Sequence, residues 1–190
     1  NITKMEVWIT NTSKLTDTRN IIALTDLGEN STDFITNTVV IVNANNGVPD
    51  NTANLLSPSS LVAKYSDIRS KDTAATRLTT DIGLSSPHDF EKVLAARKLA
   101  PGEFSFNPRL GFVSLNTNVN PDQVVAVAYE YTYNGVIYQV GEFSTDGIAD
   151  PKCLFVKMLK STYVSTRRDA LLWDLMMKNI YNIRSQRISN

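Results

Sequence analysis

Acid–base, nucleophilic and metal chemistry fall mostly to histidine, cysteine and carboxylates set in pairs. Across 190 residues this chain offers one histidine and one cysteine. His88 stands between Pro87 and Asp89 in a turn-like setting. A single imidazole builds neither a His-based zinc centre nor a Ser-His-Asp relay. Cys153 is a candidate nucleophile, but Leu154, Phe155 and Val156 follow it. In such a strand-like run a free thiol acts as a small buried hydrophobe. Glu130, Glu142, Asp146 and Asp150 could pair as glycosidase carboxylates, a chemistry that depends on a separation set in three dimensions. Asn43, Asn45, Asn46 and Asp50 surround Gly47 as in a calcium loop, yet they present mainly neutral amides where calcium takes ionised carboxylates. No phosphate-binding loop or dinucleotide fingerprint occurs. The expectation is a non-enzyme with no catalytic residue, no cofactor and no metal.

The elements that would position any site are easier to read. Gln123 to Phe143 runs QVVAVAYEYTYNGVIYQVGEF. Asn134-Gly135 supplies two consecutive positive-φ positions, so a two-residue hairpin is expected there. In that register Tyr133 faces Val136, Tyr131 faces Tyr138 and Tyr129 faces Val140. One face is then an aromatic ladder, and the other carries Ala126, Ala128, Glu130 and Thr132. Tyr129 and Tyr131 are expected to be buried; Tyr133 and Tyr138, near the turn, are candidates for contact with a partner or glycan. Trp173 is a third candidate, as an interface anchor or as core packing, with core packing preferred.

Alternation of apolar residues predicts a strand at Met5 to Thr10, with Trp8 covering the second face, and the short, β-branched run from Asn20 to Gly28 reads as a second buried strand ending in a turn, with helix as the alternative. Further strands are expected at Thr38 to Val42 and Cys153 to Leu159, and at Phe90 to Leu99, where Val93, Leu94 and Arg97 also suit a helix but Ala100-Pro101-Gly102 suits a strand end. Phe104 to Phe106 and Phe112 to Leu115 form a second hairpin around Asn107-Pro108-Arg109-Leu110-Gly111. Residues 43–60 read as a flexible loop, and Ser59 to Leu84 as two short helices closed by Gly83. Residues 169–183 read as a C-terminal helix capped by Asp169, with Leu172, Leu175, Met176 and Ile180 as its apolar stripe. Strands outnumber helices and do not alternate with them. The fold class is therefore α+β, a mainly antiparallel β-sandwich-like domain with a few helices.

Nineteen Lys and Arg balance nineteen Asp and Glu, which disfavours nucleic acid and acidic membranes as partners. There is no initiator Met, no leader and no apolar run of transmembrane length, so residues 1–190 read as one soluble domain excised from a longer chain.

The segments MEVWITN, RNIIALTDLGE, DFEKVLAARKLAPGEFSFNPRLGFVSLN, VVAVAYEYTYNGVIYQVGEFSTDG and LWDLMMKNIYNI occur in order along nearly the whole chain. They resemble successive blocks of the gliding motility protein SprA/Sov family, the outer-membrane translocon of the type IX secretion system of Bacteroidetes. The resemblance implies a soluble segment of a very large outer-membrane protein, at the cell surface or on the periplasmic side. It implies partners among other segments of the same translocon chain, associated secretion components and secreted cargo proteins. The resemblance further implies that the rest of that protein forms a transmembrane β-barrel, and a segment inserted in such a barrel should leave and re-enter at one rim, with Met5 and Asn182 on one side. Asp72-Thr73-Ala74 is similar to the O-glycosylation signal of proteins exported by these bacteria. The Asn30-Ser31-Thr32 sequon carries no meaning in a bacterium. The alternative function is a carbohydrate-binding β-sandwich module at the cell surface.

Overall fold

The computed structural model describes residues 1–13, 17–29, 54–163 and 171–175. Among these residues eight strands run in chain order: β1 Ile2–Thr10, β2 Arg19–Leu24, β3 Phe90–Lys98, β4 Phe104–Phe106, β5 Val113–Leu115, β6 Val125–Tyr133, β7 Val136–Val140 and β8 Leu154–Lys160. The neighbours run β1-β3-β2-β8-β6, and β6 pairs again with β1. That second pairing closes a five-stranded barrel. An odd ring cannot alternate strand direction all the way round, so one neighbouring pair must be parallel. It is β2 with β8, with Ile21 opposite Leu154 and Leu24 opposite Lys157; every other pairing is antiparallel. The chain is mostly strand with a few short helices, in keeping with α+β. The sandwich-like arrangement expected from the sequence is corrected here, because one sheet curls until its first strand meets β6 instead of facing a second sheet.

Strand alternation sorts the core into three layers. Inside the ring, all five strands contribute: Trp8, Ile21, Ala23, Val93, Ala96, Ala126, Ala128, Leu154, Val156 and Met158 pack in one buried cluster. Five strands leave a narrow interior, so a large side chain needs a small one beside it. Trp8 sits directly opposite Ala126. The small-residue face of β6 thus lines the barrel, and the tyrosine face points outward. Outside β2 and β8, Ile22, Leu24 and Phe155 are covered by Leu56, Leu61, Ile68, Leu78 and Ile82 from the helical segment. Outside β1 and β6, Val7, Ile9, Val125 and Val127 are covered by Phe104, Val113 and Leu115 of the β4–β5 hairpin.

The helical segment begins where a loop was expected. Ser57 caps α1 (Pro58–Lys64) by accepting from the Ser60 amide, and Pro58 occupies the first turn, where no amide donor is missed. Residues 57–60 therefore open a helix instead of extending the loop, and residues 43–53 lie outside the described residues. After α2 (Ala74–Thr76) the ladder widens to a π-turn over Arg77–Asp81, in which the Ile82 amide reaches the Arg77 carbonyl at 3.2 Å. The Thr38–Val42 strand and Asn182 also lie outside the described residues. Of the expected C-terminal helix, α3 (Leu171–Asp174) is described.

The β6–β7 hairpin has the expected register, with Tyr133, Tyr131 and Tyr129 opposite Val136, Tyr138 and Val140. Asn134 and Gly135 take φ of 48° and 78°. A Cβ at Gly135 would meet nothing within 4 Å, whereas one at Gly141 (φ +76°) would lie 3.2 Å from the Ala128 Cα and the Val127 carbonyl. Gly135→Val should therefore cost only the left-handed backbone penalty, about 1–2 kcal/mol. Gly141→Ala should cost more, because β6 backbone must also move. Chemical denaturation of the two variants checks this order, and equal losses would show that the close approach at Gly141 is unimportant.

Candidate functional site

Most of the described residues singled out for chemistry are buried or already hydrogen-bonded, and His88 and Asp150 are exposed. Cys153 is fully buried, and burial raises its thiol pKa, which keeps it protonated. His88 lies exposed in a turn, edge-on to Tyr163 at 4.6 Å between ring centres. Glu130 accepts from the Thr3 hydroxyl, and Asp146 from the Phe143 amide and the Gln139 side chain. Glu142 is held by Arg69 through two contacts of 2.5 and 2.8 Å and also accepts from the Phe155 amide. Asp150 is exposed. The Thr73 hydroxyl donates to the Asp67 carbonyl at 2.6 Å. Asn30-Ser31-Thr32 and the Asn43 to Asp50 cluster lie outside the described residues.

The sequence reading missed three polar clusters. Arg69, stacked 5.0 Å from the Phe155 ring, also donates to the Cys153 carbonyl, and so fastens the helical segment to the barrel. At the barrel rim, Ser144 Oγ donates to Glu6 Oε1 at 2.7 Å while Lys98 Nζ lies 2.8 Å from it. This has the composition of a serine–lysine dyad. However, Lys98 also pairs with Glu6 at 3.2 Å, so its ammonium donates and is no base for the hydroxyl. The arrangement joins β1, β3 and the segment after β7.

The third cluster is the most buried. Lys157 Nζ donates to the Thr25 carbonyl and to Glu29 Oε1. Asp26, 1% exposed, accepts from the Gly28 amide at 2.8 Å and from Asn54 Nδ2 at 2.9 Å. Burial first, then the neighbouring Glu29, push the Asp26 carboxyl up to about 7. Both effects favour its neutral form. The Lys157 ammonium stands where a cation would be needed to bind two carboxylates, so the cluster is internally neutralised. Only position could have betrayed it: Lys157 interrupts the apolar run LFVKML.

These groups have a pH signature. With a folded value near 7 and an ordinary one near 4, Asp26 adds stability that is complete at about pH 4 and is lost as pH rises to about 7. Asp67, Asp72 and Glu103 are shifted down by Arg77, Lys71 and Arg97 respectively, so their contribution is lost only below about pH 4. Unfolding free energy should thus decline between about pH 4 and 7, and Asp26→Asn should flatten that decline. Urea titrations at several pH values test it; an unchanged slope in the variant would assign the decline elsewhere.

One surface stands apart. Eight large apolar residues are exposed among the described residues, and five share one end of the barrel: Leu110, Phe112, Tyr133, Val136 and Ile137. The start of β1 joins their two hairpins. The Ile2 amide donates to the Pro108 carbonyl at 3.0 Å, beside Leu110, and Asn1 and Thr132 exchange two backbone bonds beside Tyr133. Exposed apolar residues scattered singly are ordinary, whereas these gather on two adjacent turn tips.

The sequence-predicted contact residues divide accordingly. Tyr133 is exposed and belongs to this end. Tyr138 is half-buried, stacked on Tyr131 with ring centres 5.4 Å apart. Trp173 is half-buried on α3, and its neighbour Leu172 is the residue that packs against the barrel-interior cluster. Tyr129 and Tyr131, expected to be buried, are half-buried against the helical layer, and burial raises the Tyr129 hydroxyl pKa. A recess beside Leu61 and Tyr65 has a volume of about 10 Å³, room for one water and far below a substrate site.

No family model and no curated protein matches the chain. Among the described residues, no helix is long and apolar enough to cross a membrane, and no three His, Cys, Asp or Glu side chains are grouped to hold a metal.

Proposed function

We propose that this chain is a non-catalytic structural and interaction domain of the type IX secretion outer-membrane translocon, serving protein secretion and gliding motility. Its contacts would be with other segments of the translocon chain or with secretion components at the outer membrane or cell surface. The observation that carries the interaction role is the apolar end formed by Leu110, Phe112, Tyr133 and Val136. The SprA/Sov assignment rests on the sequence blocks. Four of them coincide with β1, β2, β3 to β5 and β6–β7, so the resemblance runs along the barrel framework. Glu130, Glu142 and Asp146 are engaged in hydrogen bonds within that framework, which favours a scaffold over an enzyme. The carbohydrate-binding alternative is less well supported, since it needs two or three solvent-facing rings on one face. Of the tyrosine ladder only Tyr133 is exposed, while Tyr131 and Tyr138 stack on each other.

In a strain whose translocon carries Leu110→Asp with Phe112→Asp, cargo secretion should fall about tenfold, the effect of removing interface anchors. Melting temperature and protein level should hold, because both side chains are exposed. Normal secretion and gliding at normal protein level would defeat the reading. Glycan-array binding abolished by Tyr133→Ala would favour the carbohydrate module instead.

A further inference from the structure

The outer edge of β7 is an open strand edge. In a two-residue hairpin the residues flanking the turn exchange both backbone hydrogen bonds, and the pairs alternate from there. Val136, Tyr138 and Val140 therefore bond to β6, while the amides and carbonyls of Ile137 and Gln139 point away from it. The Thr132 amide obeys the same alternation on the other side of β6, where it meets the Asn1 carbonyl at 2.8 Å. No hydrogen bond reaches the outward backbone groups of Ile137 and Gln139 among the described residues. Sheet edges are normally guarded by lysine, proline or a bulge. From Tyr133 to Gly141 this edge carries no charged residue, no proline and no register shift, and Ile137 is 65% exposed.

We infer that β7 is a self-association edge, whose occupant is β7 of a second copy of this chain paired antiparallel across a two-fold axis at Tyr138. In that register Ile137 of each copy exchanges both backbone bonds with Gln139 of the other, four bonds in all, which satisfies every outward group of that pair. Tyr138 meets its own counterpart in a non-hydrogen-bonded pair, the closer type. The Tyr131–Tyr138 stack then continues into the second copy as a row of four rings, in the arrangement that stabilises cross-strand aromatic pairs. No like charges oppose each other, because the strand is uncharged. A foreign strand could match the backbone, but the symmetric pairing matches side chains on both sides as well. So short a pairing falls below the roughly 1,200 Å² of a stable interface, so the association is weak and concentration-dependent. This inference goes beyond the translocon reading and does not depend on it.

Sedimentation equilibrium of the 190-residue chain from about 10 µM to about 1 mM, with amide exchange by NMR, tests it. Average mass should rise from one chain toward two, and the Ile137 and Gln139 amides should slow in parallel. Ile137→Pro removes a donor that the hairpin does not use, so it should stay monomeric over the range with an unchanged melting temperature. If that variant fails to fold, Ile137→Lys, which guards the edge with a charge, should give the same monomer. A wild-type chain that stays monomeric throughout, a dimer that survives in the folded edge variant, or protection of these amides only by an added foreign peptide would each overturn the proposal.

Discussion

Lys157→Met should destabilise the chain by about 3–5 kcal/mol at pH 7.5, the range for removing one member of a buried ion pair. Lys157 is 7% exposed in β8, and its ammonium faces Glu29 and the Thr25 carbonyl, with Asp26 beside them. Methionine keeps much of the packing of the lysine stem but leaves the carboxylates without a counter-charge in a desolvated site. The loss should shrink as pH falls toward about 4, where Asp26 is protonated and less negative charge needs a partner. Urea denaturation of both proteins at pH 7.5 and pH 4.5 measures this. A loss under about 1 kcal/mol at the higher pH would show that water reaches the cluster and screens it. Against a total stability of about 5–15 kcal/mol, the expected loss is large enough to populate unfolded chain.

Trp8→Ala should cost a similar amount, about 3–5 kcal/mol, through the cavity left inside the barrel. Trp8 is 2% exposed and packs with residues from the other four barrel strands. Ala126 opposite it cannot fill the space, and a closed ring has little freedom to collapse. Among the described residues the indole Nε1 has no hydrogen-bond partner, and an unpaired buried donor is itself a cost of about 1–3 kcal/mol. Trp8→Phe removes that donor while keeping a ring in place, so it should be tolerated far better than alanine. Comparable losses in the two variants would mean that the indole edge, rather than the filled volume, carries the stability.

Much of the local structure was legible from the sequence. Asn134-Gly135 determines the β6–β7 register because a two-residue turn admits one alignment of its strands. Period-two alternation located β1, short β-branched or apolar runs pointed to β2 and β8, the Ala100-Pro101-Gly102 stop tipped Phe90 to Leu99 toward strand, and Pro108 with Gly111 marked the turn of the second hairpin. The helix at Pro58 was legible to within a residue, from Ser59 onward, but its Ser57 cap lay in a polar, Ser-rich stretch, where a serine cap and a loop serine look alike. Alternation states which residues share a face of a strand without saying which face turns inward. The tyrosine face of β6 looked like the core side, and only closure of the ring, with room inside for Ala126 and Ala128 beside Trp8, reversed that. Closure itself depends on β1 meeting both β3 and β6, pairings across roughly ninety to one hundred and thirty residues that no local pattern encodes. The same holds for the buried charges. Lys157, Asp26 and Glu29 are ordinary surface residue types in sequence, and their pairing exists because the parallel β2–β8 contact brings two distant segments together. The sequence by itself determined the strands, the hairpin register and the shortage of catalytic groups. The tertiary structure decided the barrel, the orientation of its faces and the gathering of apolar turn residues at one end, because each of those depends on long-range pairing.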